Sequence, residues 1–379
     1  MVVLKGITWD HDRGYLPLLR TTESFERLHP DIKIVWKRRS LKEFGDYPVE
    51  KLVGEYDLLL IDHPFVGEAW KLGILADFNR FLSPGEMQIR REQELGQSFR
   101  CYCYKGRQLA LSVDIAAMVS AVREDLLAES GVKPPGSFEE ILKMAGDSGR
   151  VAVPLTGTDI WDIFLSLGAA KGGREFVSER GFMRDEALWS LEQVLRLAEA
   201  VPEKCLDLNP IQIMDAMAAG EEIFYAPFCF GYVNYAWKDR RHPLHFCDTP
   251  LWEGAETAPI LGGVGIAVSA ESLNVREAVQ YAEYVTRPEI QAGEYFLAGG
   301  QPGQMGAWMS EKNNELTGGF FRGTADTIRR AYVRPRFPGW NRLQEAGGHM
   351  INAGVKGRER PEKTLAALEK LFFRLFGDQ

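Results

Sequence analysis

The first 61 residues alternate short β-rich runs with an amphipathic stretch, the pattern of an α/β protein. Residues 2–8 predict a first strand, and residues 56–61 are almost wholly apolar, as in a strand buried on both faces. Between them, residues 15–28 carry a partial apolar stripe at helical spacing, and residues 32–36 alternate apolar and polar positions. This β-α-β-α-β order predicts a parallel sheet with right-handed crossovers.

The rest of the chain continues the mixture of strands and helices. Residues 109–113 and 118–123 predict two separate strands, and Ser137 with Glu140 forms a capping box that opens a helix. Residues 262–268 predict a strand that opens with glycines. This is not a dinucleotide-binding fingerprint, whose glycines lie after a strand and before a helix. Further strands are predicted at 151–153 and 223–226, and further helices at 125–129, 157–167, 185–200, 275–286, 288–298, 315–332, 340–353 and 360–376.

Carboxylate and imidazole side chains stand directly after three predicted strands. Asp10 and His11 follow the first strand, Asp62 and His63 follow another, and Asp114 follows a third. Ligands of open parallel sheets bind in the crevice beyond the carboxyl ends of the strands, so these residues are placed where a site would form. A second interpretation is that aspartates are the N-caps of the helices that follow, Asp10 or Asp12 before the first helix and Asp62 before the later one. Capping by one of them does not exclude ligand contact by a neighbour.

Composition and charge narrow the class of protein. A chain of 379 residues is too long for one ordinary core and fits two lobes. The 45 basic and 53 acidic side chains give a formal net charge of −8, which argues against nucleic acid or an anionic membrane as the main partner. The five cysteines are odd in number, and Cys101 and Cys103 have no second pair to complete a zinc site. We expect free thiols, no metal and no cofactor.

The N-terminus bears on where the protein acts. No run of roughly 18 to 20 apolar residues is present, so no membrane span is predicted. The first residues form a strand pattern instead of the basic start, apolar stretch and small-residue cleavage site of a secretory leader. The protein is expected to be periplasmic or extracellular if a leader was removed ahead of Met1, and cytoplasmic if Met1 is the natural start, which the sequence as it stands favours.

Several segments, taken in order, resemble family 1 extracellular solute-binding proteins, the maltose-binding-like subunits of carbohydrate ABC importers. Residues 25–34, Phe-Glu-Arg-Leu-His-Pro-Asp-Ile-Lys-Ile, are similar to the family's helix-to-strand step F-E-x-x-H-P-x-I-x-V. Residues 57–62 resemble its Y-D-hydrophobic strand, residues 132–142 its G-x-x-x-P-x-T-W-E-E segment, and residues 262–268 its glycine-opened return strand. The resemblance covers nearly the whole chain and rests on the order of motifs that are weak individually.

The resemblance implies an α/β, two-lobed periplasmic-binding-protein type II fold. Each lobe would be a mainly parallel sheet flanked by helices. The N-terminal lobe would hold residues 1–113 and 260–305, and the C-terminal lobe residues 114–259 and 306–379. A hinge near residues 112–116 and 259–263 would close the cleft over a ligand. The resemblance also implies a sugar or sugar derivative as ligand, ABC permease subunits as partners and a monomeric chain.

Sugar sites combine aromatic surfaces, which cover the C–H faces of the ring, with carboxylates and amides that bind hydroxyl groups. For every aromatic candidate, packing in the core is the alternative interpretation. The candidates chosen by their positions in the sequence are Trp9, Asp10, His11, Asp62, His63, Asp114, Trp161, Tyr232 and Trp308.

Four more positions complete the candidate site. Gly262 and Gly263 would let the backbone approach a ligand or would serve a hinge that needs unusual dihedral angles. Gln301, in a tight glycine-rich loop, is a candidate amide contact. Arg334, one of two arginines between prolines, would grip a carboxylate or phosphate, or else form an ion pair at a lobe surface. If Arg334 faces the cleft, we expect an acid in preference to a neutral sugar.

Two other chemistries stay open for the same residues. The paired histidines and carboxylates suit a zinc-like ion, although their spacing does not require one. Alternatively, Asp10, His11, Asp62, His63 and Asp114 would supply an acid and a base in a cytoplasmic isomerase, lyase or hydrolase, or the fold would serve a ligand sensor; the metabolite would be hydroxylated or carboxylated. No nucleophile elbow, P-loop, zincin or kinase motif is present, which favours binding over catalysis.

Overall fold

The computed structural model describes residues 1–46 and 48–377. The strands are β1 (Val2–Trp9), β2 (Ile32–Arg39), β3 (Leu58–Ile61), β4 (Cys103–Tyr104), β5 (Arg107–Gln108), β6 (Leu111–Val122), β7 (Val177–Ser178), β8 (Gly181–Phe182), β9 (Tyr225–Phe230), β10 (His245–Cys247), β11 (Ala258–Val268) and β12 (Ala331–Tyr332). The helices are α1 (Asp12–Leu28), α2 (Leu41–Asp46), α3 (Val66–Leu72), α4 (Pro84–Glu92), α5 (Glu124–Glu129), α6 (Phe138–Ser148), α7 (Gly157–Gly172), α8 (Arg184–Ala200), α9 (Pro210–Ala219), α10 (Val275–Val285), α11 (Pro288–Ile290), α12 (Met305–Trp308), α13 (Glu311–Leu316), α14 (Phe320–Arg330), α15 (Trp340–Lys356) and α16 (Pro361–Phe376).

The first three strands form the parallel arrangement that their sequence pattern predicts. β1 lies between β2 and β3 and is parallel to both, with Val2 opposite Ile32 and Gly6 opposite Leu58. All four residues of β3 are buried, as expected of a strand covered on both faces.

Two long strands carry the sheet through the whole molecule. β6 and β11 pair antiparallel with each other, and β11 also pairs antiparallel with β3. Farther along, β6 pairs antiparallel with β9 and β10, while β11 pairs parallel with β12. The two strands predicted at 109–113 and 118–123 are therefore one strand, because the residues between them are also paired and buried. The expected mainly parallel sheet is wrong for the second lobe, where β6 runs opposite to both β9 and β10.

The helices divide into two groups around these strands. In the first half, comprising β1–β3, α1–α4 and α10, α1 packs on β2 and α10. In the second half, comprising β9, β10, β12, α5–α9 and α14–α16, α7 packs on α8 and α15. The expected lobe boundaries at 113/114 and 259/260 fall inside β6 and β11, which run through both halves. The exact division into lobes stays a prediction.

Two further properties of the described residues concern their helices and their cysteines. Within residues 1–46 and 48–377, none of the helices combines the length and apolarity that a bilayer-spanning segment needs. The cysteines are free, and Cys101, Cys205 and Cys229 are buried, as expected from their odd number.

Candidate functional site

A cavity of about 410 Å³ lies between the two halves of the molecule. The ends of β1 and β3 border it on one side, the middle of β11 forms part of its floor, and the first turns of α7 and α9 border it on the other side. Its volume falls within the range of roughly 300–1,000 Å³ that is typical of small-molecule sites.

Six of the residues singled out from the sequence line this cavity. The strand-end argument accounts for Trp9 and Asp62, because β1 and β3 end at this crevice, whereas the other four reach it from β11 and from the segments after β9 and β12. The six residues are Trp9, Asp62, Tyr232, Gly262, Gly263 and Arg334.

An arginine at the cavity is held between carboxylates from the two halves. Arg334, two residues after β12, donates from Nη2 to Asp62 Oδ2 at 2.5 Å and from Nη1 to Gln344 Oε1 at 3.2 Å. Asp162, on the second turn of α7, places Oδ1 3.9 Å from Arg334 Nη1. The Arg334 side chain is 3% exposed and the Asp162 side chain 5%, so this pairing is shielded from water.

The two carboxyl groups of this cluster have pKa values shifted in opposite directions. Burial opposes ionisation of Asp62, but the charge of Arg334, the interactions with His63 and the hydrogen bond from Arg334 together outweigh it and lower the pKa of Asp62 to about 2. Burial, reinforced by the negative charge of Asp62, raises the pKa of Asp162 to about 7, because Arg334 is too distant to compensate fully. Asp62 is therefore ionised at neutral pH, whereas Asp162 is divided between its protonated and ionised forms near pH 7.

A second arginine fixes the first half to the long strand β6. Arg13, in the first turn of α1, forms a bidentate ion pair with the buried Asp114, with Nε 2.7 Å from Oδ2. Its Nη1 also donates to the carbonyl of Gly231 at 2.9 Å, and its guanidinium carbon lies 4.4 Å from the centre of the Tyr232 ring. Asp114 therefore holds Arg13, and Arg13 supports the ring that faces the cavity.

The second half contributes mainly helix N-termini. α7 begins after Thr156 and presents Thr158, Asp159 and Asp162 to the cavity. α9 begins with a capping box, in which Asn209 accepts from the backbone N–H of Gln212 while the Gln212 side chain accepts from the Asn209 N–H. These helix starts hold short polar side chains in fixed positions opposite Trp9.

The Asp-His pairs divide between the cavity and other places. Asp10 is exposed and pairs with Arg38 at 2.9 Å, away from the cavity. His11, and not an aspartate, is the N-cap of α1, since its Nδ1 accepts from the backbone N–H of Arg13. Asp62 accepts from the N–H of His63, which confirms its predicted capping interpretation, and His63 is fully buried behind it. Burial lowers the pKa of His63 to about 4, so this ring is neutral at pH 7.

Three candidates lie in the core and do not line the cavity. Trp161 packs among Phe164, Phe182 and Trp340, the arrangement that we gave as the alternative for aromatic candidates. Trp308 is buried and donates to the carbonyl of Pro302 at 2.7 Å.

Gln301, the third, is a structural bridge. It accepts from the Val233 N–H at 2.9 Å and donates to the Ile115 carbonyl at 2.6 Å, so both ends of its amide are used inside the protein. These bonds join the segment after β9 to β6, close to the expected hinge.

The glycine pair is closely packed against other parts of the protein at both positions. A Cβ atom on Gly262 would lie 2.5 Å from the Phe230 ring, and one on Gly263 would lie 2.5 Å from the carbonyl oxygen of Asp114. Gly263 also has φ +114°, a conformation that other residues rarely adopt. Gly262 therefore leaves room for the Phe230 ring of β9, and Gly263 for the backbone of the paired strand β6.

The metal interpretation of the Asp-His pairs was tested against the same geometry. Among the described residues, no group of three or more His, Cys, Asp and Glu side chains is arranged to hold a metal ion. His11 and His63 point to different surroundings, the first against the Tyr232 ring and the second behind Asp62.

Sequence reasoning missed part of the cavity lining. Arg13, Asp159 and Asp162 were not singled out, although Asp162 directly follows the candidate Trp161. Helical spacing distinguishes Asp162 from its neighbour Trp161, because Asp159 and Asp162 lie three residues apart and therefore share one face of α7. Arg13 carried no such signal, since its partner Asp114 lies 101 residues away in the chain.

Structural comparison identifies the fold, while no protein-family model matches the chain. Maltose-bound MalE3 of T. maritima matches with a TM-score of 0.85 and 17% identity, over 99% of this chain and 100% of that one. An ABC transporter solute-binding protein of Agrobacterium radiobacter in complex with ribitol matches with 0.82 and 17%, over 100% and 99% of the two chains. An ABC substrate-binding protein of Listeria monocytogenes in complex with cycloalternan matches with 0.81 and 14%, over 99% of each. The chain therefore has the two-lobed fold predicted from its ordered motifs.

Proposed function

We propose that this protein is a solute-binding protein that closes its cleft over a small sugar or polyol for ABC-type import. The observation that carries the proposal is the cavity between the halves, which is lined by the aromatic rings of Trp9 and Tyr232 and by the carboxylates of Asp159 and Asp162. Aromatic faces cover C–H surfaces and carboxylates accept hydroxyl hydrogen bonds, so this combination suits a polyhydroxylated ligand.

Proteins of the same fold support the choice of ligand class. The matched structures are described as bound to maltose, ribitol and cycloalternan, and two of them are named as ABC transporter or ABC substrate-binding proteins. By extension, we propose that an ABC permease receives the ligand from this chain and that the chain acts outside the cytoplasmic membrane. Fractionation of source cells tests the second point, because a protein found only in the cytoplasmic fraction contradicts it.

The alternative, an enzyme on the same fold, has less support from the geometry. The acid–base set expected for it is dispersed: Asp10 is on the surface, His63 is behind Asp62, and Asp114 is occupied by Arg13. General acid–base catalysis needs both groups within hydrogen-bond reach of one substrate. Binding without turnover is therefore the function that we propose.

A thermal unfolding screen tests the proposal. The panel contains hexoses, disaccharides, pentitols, sugar acids and amino sugars. At least one member should raise the melting temperature by several degrees, because a ligand at 100 times its Kd stabilises the folded state by about 2.7 kcal/mol. Asp159→Ala, inside the cavity, should reduce the shift, whereas Asp31→Ala, an exposed residue between α1 and β2, should retain it. No shift with any compound would contradict the proposed function.

A further inference from the structure

The cavity contains more carboxylates than cations, and its cations are already engaged. Among the described residues that line it, four are aspartates and two are arginines. Arg13 is bound by the buried Asp114 and Arg334 by Asp62, so each guanidinium is neutralised by a partner within the protein. The sequence-based expectation of an acidic ligand required that Arg334 face the cleft with its charge free to bind that acid. Asp62 already pairs with this charge, so an acidic ligand is no longer expected.

Two carboxylates lie on the face of α7 that borders the cavity. Asp162 is 3% exposed, and its Oδ1 has no hydrogen-bond partner among the described residues. The nearest cation, Arg334, is 3.9 Å away and donates to Asp62 and Gln344 instead. Asp159, one turn earlier on the same helix, adds a second negative charge to this side of the cavity.

A buried carboxylate oxygen without a donor costs free energy unless a ligand supplies one. A cationic donor removes this cost most fully, because it compensates the charge as well as the hydrogen bond. The aromatic rings of Trp9, Phe44 and Tyr232, which line the same cavity, are also compatible with a cation, through their negative faces. An anion would instead add to the negative charge of Asp159 and Asp162.

We propose that the cleft selects a polyol that carries a cationic nitrogen, such as an amino sugar, and that Asp162 is the residue that recognises the ammonium group. This inference rests on the proposed function and narrows its ligand class. Asp62 and Arg334 position Asp162 electrostatically, and the hydroxyl groups of the ligand face the remaining polar side chains, including Thr156 and Thr158.

Proton release gives the proposal a signature that does not depend on the identity of the sugar. With burial raising the pKa of Asp162 to about 7, a good part of this group is protonated at pH 7. A cation that binds beside it shifts the group to its ionised form and releases that proton, so affinity should increase as pH rises through 7. The charged or titratable groups around Asp162 are Asp62, Asp159, Arg334 and, from α15, His349.

Titration calorimetry on matched pairs tests the inference. The pairs are glucosamine with glucose, galactosamine with galactose and 1-amino-1-deoxysorbitol with sorbitol, with glucuronate as the anionic arm. Each is measured at pH 7 in phosphate and in MOPS, a buffer that is not a polyol, and the different ionisation enthalpies of the two buffers reveal proton release. One amine should bind at least about tenfold more tightly than its hydroxyl counterpart, as for a charge-assisted contact, and should release part of a proton.

Two variants assign the effect to one side chain. Asp162→Asn should reduce the amine preference to below about threefold and abolish proton release. Asp326→Asn, an exposed residue on α14 that pairs with Arg329, should leave both unchanged. If Asp162→Asn does not fold, proton release by the unmodified protein decides alone, because its absence on amine binding contradicts the proposal.

The outcomes separate this inference from the proposed function. If neutral or acidic compounds bind as tightly as the amines or more tightly, and no proton is released, the ligand is not a cation. The proposed function as a solute-binding protein then still holds. Absence of binding by every member of the panel overturns the proposed function, and the inference with it.

Discussion

Arg334 and Asp62 form an ion pair, 2.5 Å between Nη2 and Oδ2, that connects the two halves of the molecule beside the cavity. Asp62 follows β3 of the first half and Arg334 follows β12 of the second, 272 positions apart in the chain. The pair therefore joins two strand ends at the floor of the cleft. It also determines the charge that a ligand meets, because it leaves Asp162 without a full counterion.

Removing one partner of this pair should be costly. Arg334→Met would leave the Asp62 carboxylate without its main counterion at a largely buried place, and breaking such a pair typically costs about 3–5 kcal/mol. Urea unfolding followed by circular dichroism measures the loss. Arg322→Met, which breaks the exposed pair with Glu311, is the matched control and should change stability little. Similar values for the two variants would contradict the burial of the Arg334–Asp62 pair.

The Asp162 carboxyl should make stability fall between pH 4 and pH 7. Its pKa in the folded protein is raised to about 7, so the folded state holds the proton more tightly than the unfolded chain does. The contribution is complete below about pH 4 and is lost as pH rises toward 7, by an amount on the order of 2–4 kcal/mol. The free energy of unfolding of Asp162→Asn, measured across this window, should lack this decline relative to the unmodified protein.

That comparison also controls for the histidines. Burial lowers the pKa of His11 and of His63 to about 4, so these rings make stability increase with pH over part of the same window. Both rings are present in the variant, and their effect cancels in the difference. Parallel curves for the two proteins would show that Asp162 titrates normally.

Gly263 should tolerate no side chain. Alanine at this position would have φ +114° and a Cβ atom 2.5 Å from the Asp114 carbonyl oxygen, so we expect Gly263→Ala to cost at least about 2 kcal/mol. Gly146→Ala is the contrasting variant, because Gly146 lies inside α6 with open space around it and should gain about 0.5–1 kcal/mol. Thermal unfolding of both variants checks the prediction. An unchanged melting temperature for Gly263→Ala would contradict the close approach of β11 to the backbone of β6 at this position.

Arg13→Lys should weaken the attachment of α1 to β6. Lysine keeps the charge but cannot form the two-pronged contact with Asp114 or reach the Gly231 carbonyl at the same time, so we expect a loss of about 1–3 kcal/mol. Arg20→Lys, a half-exposed residue on the same helix, is the control and should be nearly neutral. Chemical denaturation of the two variants measures the difference, and equal stabilities would show that the bidentate geometry is unimportant.

The strand ends were predictable from sequence, and the helix contributions were not. Trp9 and Asp62 follow from local pattern, because a strand that ends at the crevice places its next side chains there. Asp162 and Arg13 depend on how distant elements meet: the first on the packing of α7 against the cleft and the second on a partner in β6. The continuity of β6 was missed for a related reason, since pairing with β11 and β9 extends through residues that local propensity treats as a break.

The most direct test of the cleft as the ligand site is a crystal structure of the protein with the compound that gives the largest thermal shift. We expect the compound between Trp9 and the first turns of α7, with a polar group within hydrogen-bond distance of Asp162 Oδ1. A compound bound elsewhere on the molecule, with this cavity free of it, would contradict the assignment of the cleft as the ligand site.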